Sequence, residues 1–408
     1  MTGSFDADLV VIGGGPVGLA SAIDARRAGL NVIVLEPRLG VIDKACGEGL
    51  MPGALGWLQR LGVQPSGMPM RGIAYTDGTR YVCADFSSGP GRGVRRTELH
   101  RALLQRLDQQ DRVERVQRTG LVDTGSIDVV REAMQSLAHD DDGVQIRTRG
   151  GGADLRARYA IGADGLHSRT RRLIGATAPL PRRRALGQRL LPRPRGSTRL
   201  PGMLGATGST HRRRFGYRQH FAIAPWTDRV EVHWGAGAEV YVTPVAPDTI
   251  GVAVLSARPG SFADHLSHFP HLSRALHGAA PCSALRAAGP LRQPVTARAH
   301  GRVLLVGDAG GYVDALTGEG LSVGLAQSAA AVCAISADTP EQYEVMARAA
   351  SWRSTLLTTA LLEATRAPLV RRALVPAAQC APWLFQRAVD ELAAAGPDST
   401  ATAQSTDI

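Results

Sequence analysis

The chain opens on a short uninterrupted apolar run, Leu9 to Ile12, entered from Asp8 and left through three glycines. A run of that length without polar alternation fits a strand buried on both faces, as in a parallel sheet. From Ala20 to Arg27 the apolar positions take helical spacing, Gly29 closes the helix, and Val32 to Leu35 form a second buried run. The predicted unit is strand, turn, helix, strand. Two later segments repeat its first half. Residues 158–175 lead a strand into Gly162-Ala163-Asp164-Gly165 and a basic helix starting near Ser168. Residues 301–329 lead a strand into Gly307-Asp308, then Leu316 to Leu321, before a helix of small residues.

Between these segments the period changes to two. Residues 72–86 read as a hairpin around Asp77-Gly78, and residues 217–256 as four alternating strands with turns at Thr227-Asp228, Gly235 to Gly237 and Ala246 to Asp248. From Pro340 to about Ala395 the pattern is helical, with apolar stripes broken at Pro368, Pro376 and Pro382. The last thirteen residues carry no core formers and are expected to be disordered. No internal repeat is present.

The glycines of the first turn bring in chemistry. Gly13, Gly15 and Gly18, with Pro16 among them, fit G-x-G-x-x-G. The first lets the turn close, the second lets backbone approach a pyrophosphate, and the third lets helix pack on strand. The helix start offers free N–H groups and a positive dipole end to phosphate. Glu36 ends the second strand, where a carboxylate can hold both hydroxyls of an adenosine ribose. This unit specifies a dinucleotide and leaves FAD and NAD both open.

Composition trims the alternatives. With 408 residues the chain has room for two domains, or one large α/β body with an inserted sheet. The net charge is +11, almost all of it from arginine, and Lys44 is the only lysine. Clusters at Arg182 to Arg184 and Arg212 to Arg214 lack the interleaved aromatics or helix-turn-helix pattern of nucleic-acid binders, so no nucleic-acid partner is expected. An anionic nucleotide or lipid headgroups account for the charge as well. Five cysteines without any C-x-x-C pair argue against structural zinc and against a disulfide framework. No basic n-region opens the chain and no run reaches the ~18–20 apolar residues of a membrane span, so a cytoplasmic location is expected. The pattern specifies no oligomeric state.

Taken in order, the glycine turn, the Asp164-Gly165 motif and the Gly307-Asp308 motif resemble those of the class A flavin monooxygenase and geranylgeranyl reductase superfamily. The resemblance implies FAD. It implies an α/β fold: a Rossmann-like FAD domain of glutathione-reductase type, an inserted mainly antiparallel substrate sheet, and a helical C-terminus. The FAD domain is expected over 1–70, 92–180 and 291–340, substrate elements over 71–91 and 181–290, C-terminal helices over 341–395 and the tail over 396–408. Asp308 would meet the ribityl hydroxyls, and Gly318 and Gly320 would present backbone N–H groups to the pyrimidine edge of the flavin. The helix from Gly320 would aim its positive end at N1 and the C2 carbonyl, where charge collects on reduction. Arg96 stands where the family places a polar FAD contact. Asp164 has two open roles, cofactor contact or capping of the helix behind it.

The stretch from Ile42 to Leu50 resembles the loop of the geranylgeranyl-reductase-like branch, Arg-Asp-Lys-x-Cys-Gly-x-Gly-Leu. Asp43, Lys44, Cys46, Gly47, Gly49 and Leu50 match, and Ile42 replaces the arginine. By resemblance the loop crosses beside the flavin ring, with Lys44 among the cofactor contacts and Cys46 lining the substrate cavity. Cys46 is either a small packing residue or a catalytic thiol that delivers a proton or tunes the flavin.

Prenyl reductases of this branch carry an aromatic-Gly-Trp-x-Phe-Pro pattern in the substrate sheet. Here Tyr241 and Pro244 remain, while Val242 and Thr243 replace large aromatics. Halogenases need a further lysine and usually a Trp-x-Trp-x-Ile-Pro stretch, which this chain lacks. The expected activity is therefore hydroxylation of a lipophilic aromatic or polyketide-like substrate, with O2 and transiently bound NAD(P)H. Reduction of an isoprenoid double bond is the alternative, and a non-catalytic FAD-binding protein stands outside both. Arg366, Arg371 and Arg372 on the C-terminal stripes suggest a cover over the cavity that either touches lipid or packs on protein alone.

Overall fold

In a computed structural model of the chain, the described residues are 5–118, 128–149, 154–178, 213–394 and 396–397. The buried apolar runs assemble as neighbours. Strand Ala7–Ile12 lies parallel to Val32–Leu35 on one side and to Leu155–Gly162 on the other, and Val303–Leu305 pairs parallel beyond that. Leu9, Val10 and Val11 have no exposed surface, which is why this sequence does not alternate. A hairpin of Met134–His139 and Val144–Thr148 adds antiparallel to Leu155–Gly162. Parallel order has a consequence for function. The strands end at Ile12, Gly162 and Leu305, so the three motif loops emerge at one edge of one sheet. Helix Pro16–Arg27 packs there against helix Gly320–Ser336, and Ser21 and Ser328 share a 2.9 Å hydroxyl contact between them.

The second sheet is built on Phe215–Ala222, Thr249–Ser256, Ala238–Ala246 and Val230–Gly235, all antiparallel neighbours. Hairpin Gly72–Thr76 and Tyr81–Asp85, distant in sequence, joins it by a parallel pairing with Val230–Gly235. One face, with Val240, Val242, Val252 and Val254, packs on helices Phe262–Ser267 and Pro270–Ala275. On the other face Val230, Val232 and Trp234 meet Leu362, Val375, Phe385 and Val389. Those four belong to helices Tyr343–Ala364, Pro368–Cys380 and Pro382–Ala393. The C-terminal helices thus cover the sheet face that also turns toward the flavin motifs.

Two details differ from the reading of the stripes. Pro376 lies inside helix Pro368–Cys380 and does not break it. The missing N–H costs about 3 kcal/mol, but neighbouring Val375 is anchored in the apolar core and Ala381 N–H still closes the last turn on Ala377 O at 2.9 Å. The helical region also stops at Ala393. The tail from residue 398 and the arginine cluster at 182–184 lie outside the described residues. No described helix is long and apolar enough to cross a membrane.

Candidate functional site

At the glycine turn each glycine does a different job. Gly13 has φ +107°, and a side chain there would meet Ala163 O at 2.6 Å. A Cβ on Gly18 would sit 1.9 Å from Gly13 O, so this glycine serves helix-to-strand packing. Gly15 has ordinary extended backbone and caps the helix that Pro16 begins, and a Cβ there would meet nothing within 4 Å. Its open side is the cradle a phosphate requires. Glu36, 3% exposed, accepts the Gly14 N–H at 2.9 Å and pairs with Arg38 at 2.7 Å. Burial pushes its carboxyl up, and the bonds from Arg38 and Gly14 outweigh that and hold it below the usual range.

His100 escaped the sequence reading. Its Nδ1 accepts the Ile42 N–H at 3.3 Å, so Nε2 carries the proton and donates to Gly14 O at 2.8 Å. Burial lowers its pKa, in keeping with a neutral ring. One imidazole thereby ties the glycine turn to the start of the Cys46 loop.

Across the sheet edge Lys44 reaches Asp308 at 2.9 Å. Burial raises the Asp308 carboxyl, but Lys44, Arg96 and Arg171 bring it below the ordinary value. Gly318 takes φ +74° and lies against Met51, and Gly320 opens the seventeen-residue helix under the Tyr312 ring. Asp164 uses Oδ2 to accept the N–H groups of Arg169 and Thr170 at 2.7 and 2.9 Å, the capping role, while its buried Oδ1 has no partner among the described residues. Arg96 starts helix Arg96–Arg118 and donates its backbone N–H to Glu48 Oε1 at 2.9 Å.

Glu48 is the centre of a buried network. It sits at φ +62°, 2% exposed, and donates its N–H to the half-buried Cys46 Sγ at 3.4 Å. Its Oε2 accepts from His220 Nε2 at 2.6 Å. Arg218, 1% exposed, donates to His220 Nδ1 at 3.1 Å and Lys44 O at 3.2 Å, and pairs with Asp43. Thr243 donates its hydroxyl to Gly47 O at 2.8 Å. The substrate sheet therefore clasps the Cys46 loop with side chains from two strands. Arg218 and His220 stand two apart in an alternating strand, and that spacing of polar residues on an inward face was the available signal.

Beyond this clasp lies a cavity of about 1360 Å³, lined by Arg214, Trp234, Asp314, Leu362 and Arg371 among others. A smaller recess of about 290 Å³ is lined by Gly307, Asp308, Tyr312 and Gly320, and Asp314 borders both. Arg214 pairs with Glu239 at 2.7 Å and Asp314 at 3.0 Å, and Arg371 pairs with Glu239 and lies over the Trp234 ring at 5.7 Å. Of these, Arg371 and, as part of the Arg212 to Arg214 cluster, Arg214 stood out in the sequence.

The residues fit FAD: an open glycine cradle at a helix start, a buried carboxylate at the adenosine position, and a Lys44–Asp308 pair beside a recess at the second helix start. Comparison with known proteins agrees. Residues 6–194 match the FAD binding domain family. A 3-(3-hydroxy-phenyl)propionate/3-hydroxycinnamic acid hydroxylase of Mycolicibacterium smegmatis is 31% identical over 183 residues, 42% of this chain and only 30% of that relative's length. A menaquinone reductase of Mycobacterium tuberculosis (strain ATCC 25618 / H37Rv) is 28% identical over 341 residues, 78% of this chain and 74% of the relative. Among solved structures, OxyS anhydrotetracycline hydroxylase from Streptomyces rimosus superposes with TM-score 0.66 at 19% identity, covering 95% of this chain and 76% of that one. The flavin-dependent brominase Bmp2 gives 0.71 at 14% identity, covering 95% and 93%. Such identities speak to the fold alone. The cofactor is FAD, the protein is an FAD-dependent oxidoreductase, and its residues 6–194 are an FAD binding domain.

Proposed function

We propose that the protein is a monooxygenase that hydroxylates a lipophilic aromatic or polyketide-like molecule, using NAD(P)H and O2. The observation that carries this reading is the 1360 Å³ cavity meeting the Asp308 recess at Asp314, which gives a multi-ring substrate room beside the flavin position. FAD, when bound, supplies the electron store and the oxygen-activating chemistry. The chain's own residues position and shield. Lys44 and Asp308 fix the loop against the recess, and the Arg218–His220–Glu48 clasp keeps that loop seated so that water stays out. The hydroxylase relative supports the reaction class, although it matches only the FAD-binding part of the chain.

The second reading, reduction of a quinone or isoprenoid, is favoured by the menaquinone reductase match, which extends over both sheets. Against it, Val242 faces the apolar core away from the flavin side and Thr243 is committed to Gly47 O, so neither position builds an aromatic prenyl channel. Turnover under ¹⁸O2 separates the two. One labelled oxygen in the product supports hydroxylation; an unlabelled reduced product formed equally well without oxygen overturns it.

Membrane contact belongs to the same reading, because a lipophilic substrate partitions into bilayers. The C-terminal helices leave Leu369 79%, Val345 72%, Trp383 70% and Trp352 55% exposed, with Arg353 stacked over Trp352. Tryptophan and arginine side by side suit an anionic headgroup layer. Flotation with phosphatidylglycerol vesicles should carry the protein in a salt-sensitive way, and absence of binding would leave these helices as a cap packed on protein alone.

A further inference from the structure

The wide cavity is unevenly charged. Among the described residues eight arginines line it against two carboxylates, Asp77 and Asp314, and both carboxylates are already paired, with Arg80 and Arg214. Two further arginines are neutralised from outside the lining, Arg371 by Glu239 and Arg366 by Glu363. That leaves Arg213, Arg258, Arg292 and Arg372 with no carboxylate partner among the described residues.

These four do not form a local basic run. Arg213 precedes strand Phe215–Ala222, Arg258 follows Thr249–Ser256, Arg292 lies on the segment leading to Val303–Leu305, and Arg372 is on helix Pro368–Cys380. The fold brings them to one cavity. The side chain of Arg258 crosses Gly237, a course that a Cβ at that position would block. Arg213, Arg258 and Arg372 are exposed and Arg292 is half-buried, so the four stand where the cavity opens. Its floor is different, since Trp234, Phe269 and Leu362 are buried and apolar. Gathering like charges around one concavity raises its positive potential, and an anion entering it offsets that repulsion.

We propose that the mouth of the wide cavity is a phosphate-recognition site, which holds the anionic end of a ligand whose apolar part lies on the floor. Each arginine offers two parallel N–H donors in a fork that matches phosphate oxygens. Four uncommitted forks exceed what a single carboxylate uses and suit a multiply charged phosphate. Arg292 also lines the smaller recess beside Asp308, so the site is continuous with the flavin position. Two kinds of molecule bring this chemistry: the nicotinamide dinucleotide that both candidate reactions consume, and a phosphorylated substrate. The assignment therefore stands whether turnover hydroxylates or reduces.

The test is calorimetric binding of 1-naphthyl phosphate and 1-naphthol to the FAD-loaded protein, in which the glycine cradle is already filled. At low salt the phosphate should bind roughly 10- to 100-fold more tightly, the ratio for hydrogen bonds to a charged group. Added salt should shrink that preference, because charges at an open mouth are screened. Arg258→Gln combined with Arg372→Gln should abolish it and leave naphthol binding as in the parent. Both side chains are exposed, and Arg213→Gln with Arg372→Gln serves if that pair fails to fold. Arg101→Gln, at an exposed ion pair on helix Arg96–Arg118, should keep the full preference. Equal binding of the two probes by the parent or an undiminished preference in the double variants overturns the assignment. An equal loss in Arg101→Gln does so too, by reducing the effect to net charge. A competition arm names the source. Displacement of 1-naphthyl phosphate by 2′-AMP assigns the site to the nicotinamide donor, and the double variant should then raise the KM for NADPH more than that for NADH. Retention against 2′-AMP, with both KM values unmoved, assigns the phosphate to the substrate.

Discussion

The two sheets handle charge in opposite ways. In the parallel strands Ala7–Ile12, Val32–Leu35 and Val303–Leu305 every buried side chain is apolar, and the polar work is left to backbone N–H groups and glycines at the strand ends. In the second sheet Arg218, His220 and Glu239 are buried within the strands themselves. A buried charge costs several kcal/mol unless it is paired; Arg218 and Glu239 are ion-paired, and His220 donates a hydrogen bond to Glu48. The cofactor side thus uses a cradle that any nucleotide pyrophosphate fits, whereas the substrate side spends folding energy on fixed charges. That expenditure is intelligible if those charges orient the Cys46 loop and the cavity floor.

Breaking each side should give a different phenotype. On the cofactor side, Gly15→Val should abolish flavin retention while leaving the fold intact, because the backbone there is unstrained and a Cβ meets no protein atom. The check is flavin absorbance beside the circular dichroism of the purified variant, and full flavin content would refute the cradle. On the substrate side, Arg218→Met leaves Asp43 with Arg286 alone and strips the buried Glu48 of its cation, so unfolding should become easier by about 3–5 kcal/mol. Arg147→Met, at an exposed ion pair with Asp154 on the cofactor side, should cost under about 1 kcal/mol. Similar losses in urea titrations would erase the contrast between the two sheets.

A pH experiment sharpens the comparison. Burial raises Glu319, at the turn before helix Gly320–Ser336, to about 7, against hydrogen bonds from Ser354 and Thr317. Its folded value exceeds the unfolded one, so its contribution is fully present below the unfolded pKa and lost as pH rises through 7. Glu319→Gln should remove that slope, a difference of up to about 3 kcal/mol between pH 4.5 and 8. Parallel melting curves of parent and variant across that range would contradict it. Smaller again, Glu36→Ala should weaken FAD binding by about 1.5–3 kcal/mol; unchanged affinity on flavin titration would mean the ribose is held elsewhere. The mildest effect on turnover is expected of Cys46→Ser. Serine nearly keeps the volume and can still accept the Glu48 N–H, so turnover should stay within about tenfold, ~1.4 kcal/mol. A collapse with full flavin content would make the thiol a proton donor and favour the reductase.

Most of the cofactor side could be read before any coordinates. Its elements are local: an apolar run, a glycine spacing and a helix start lie within 36 residues, and backbone geometry alone turns them into a phosphate cradle. Lys44 and Asp308 were recognised separately, and only the fold joined them across 264 positions. His100, Glu48 and Asp314 carry no local pattern that distinguishes them from surface polar residues, and Arg218 has only its two-residue spacing from His220 in an alternating strand.

What the sequence determined by itself is therefore the class of fold, the dinucleotide cradle and, through three motifs in order, FAD. The first two follow from short-range periodicity and from glycines whose φ or missing Cβ is needed in place, and FAD from the resemblance of the three motifs to a known superfamily. The tertiary structure alone decided which charges are buried and which partners neutralise them. Pairing Arg218 with Asp43 spans 175 residues, and Glu239 meets Arg371 across 132. Burial is a property of the packed surface around a side chain, and no window of the chain contains that surface.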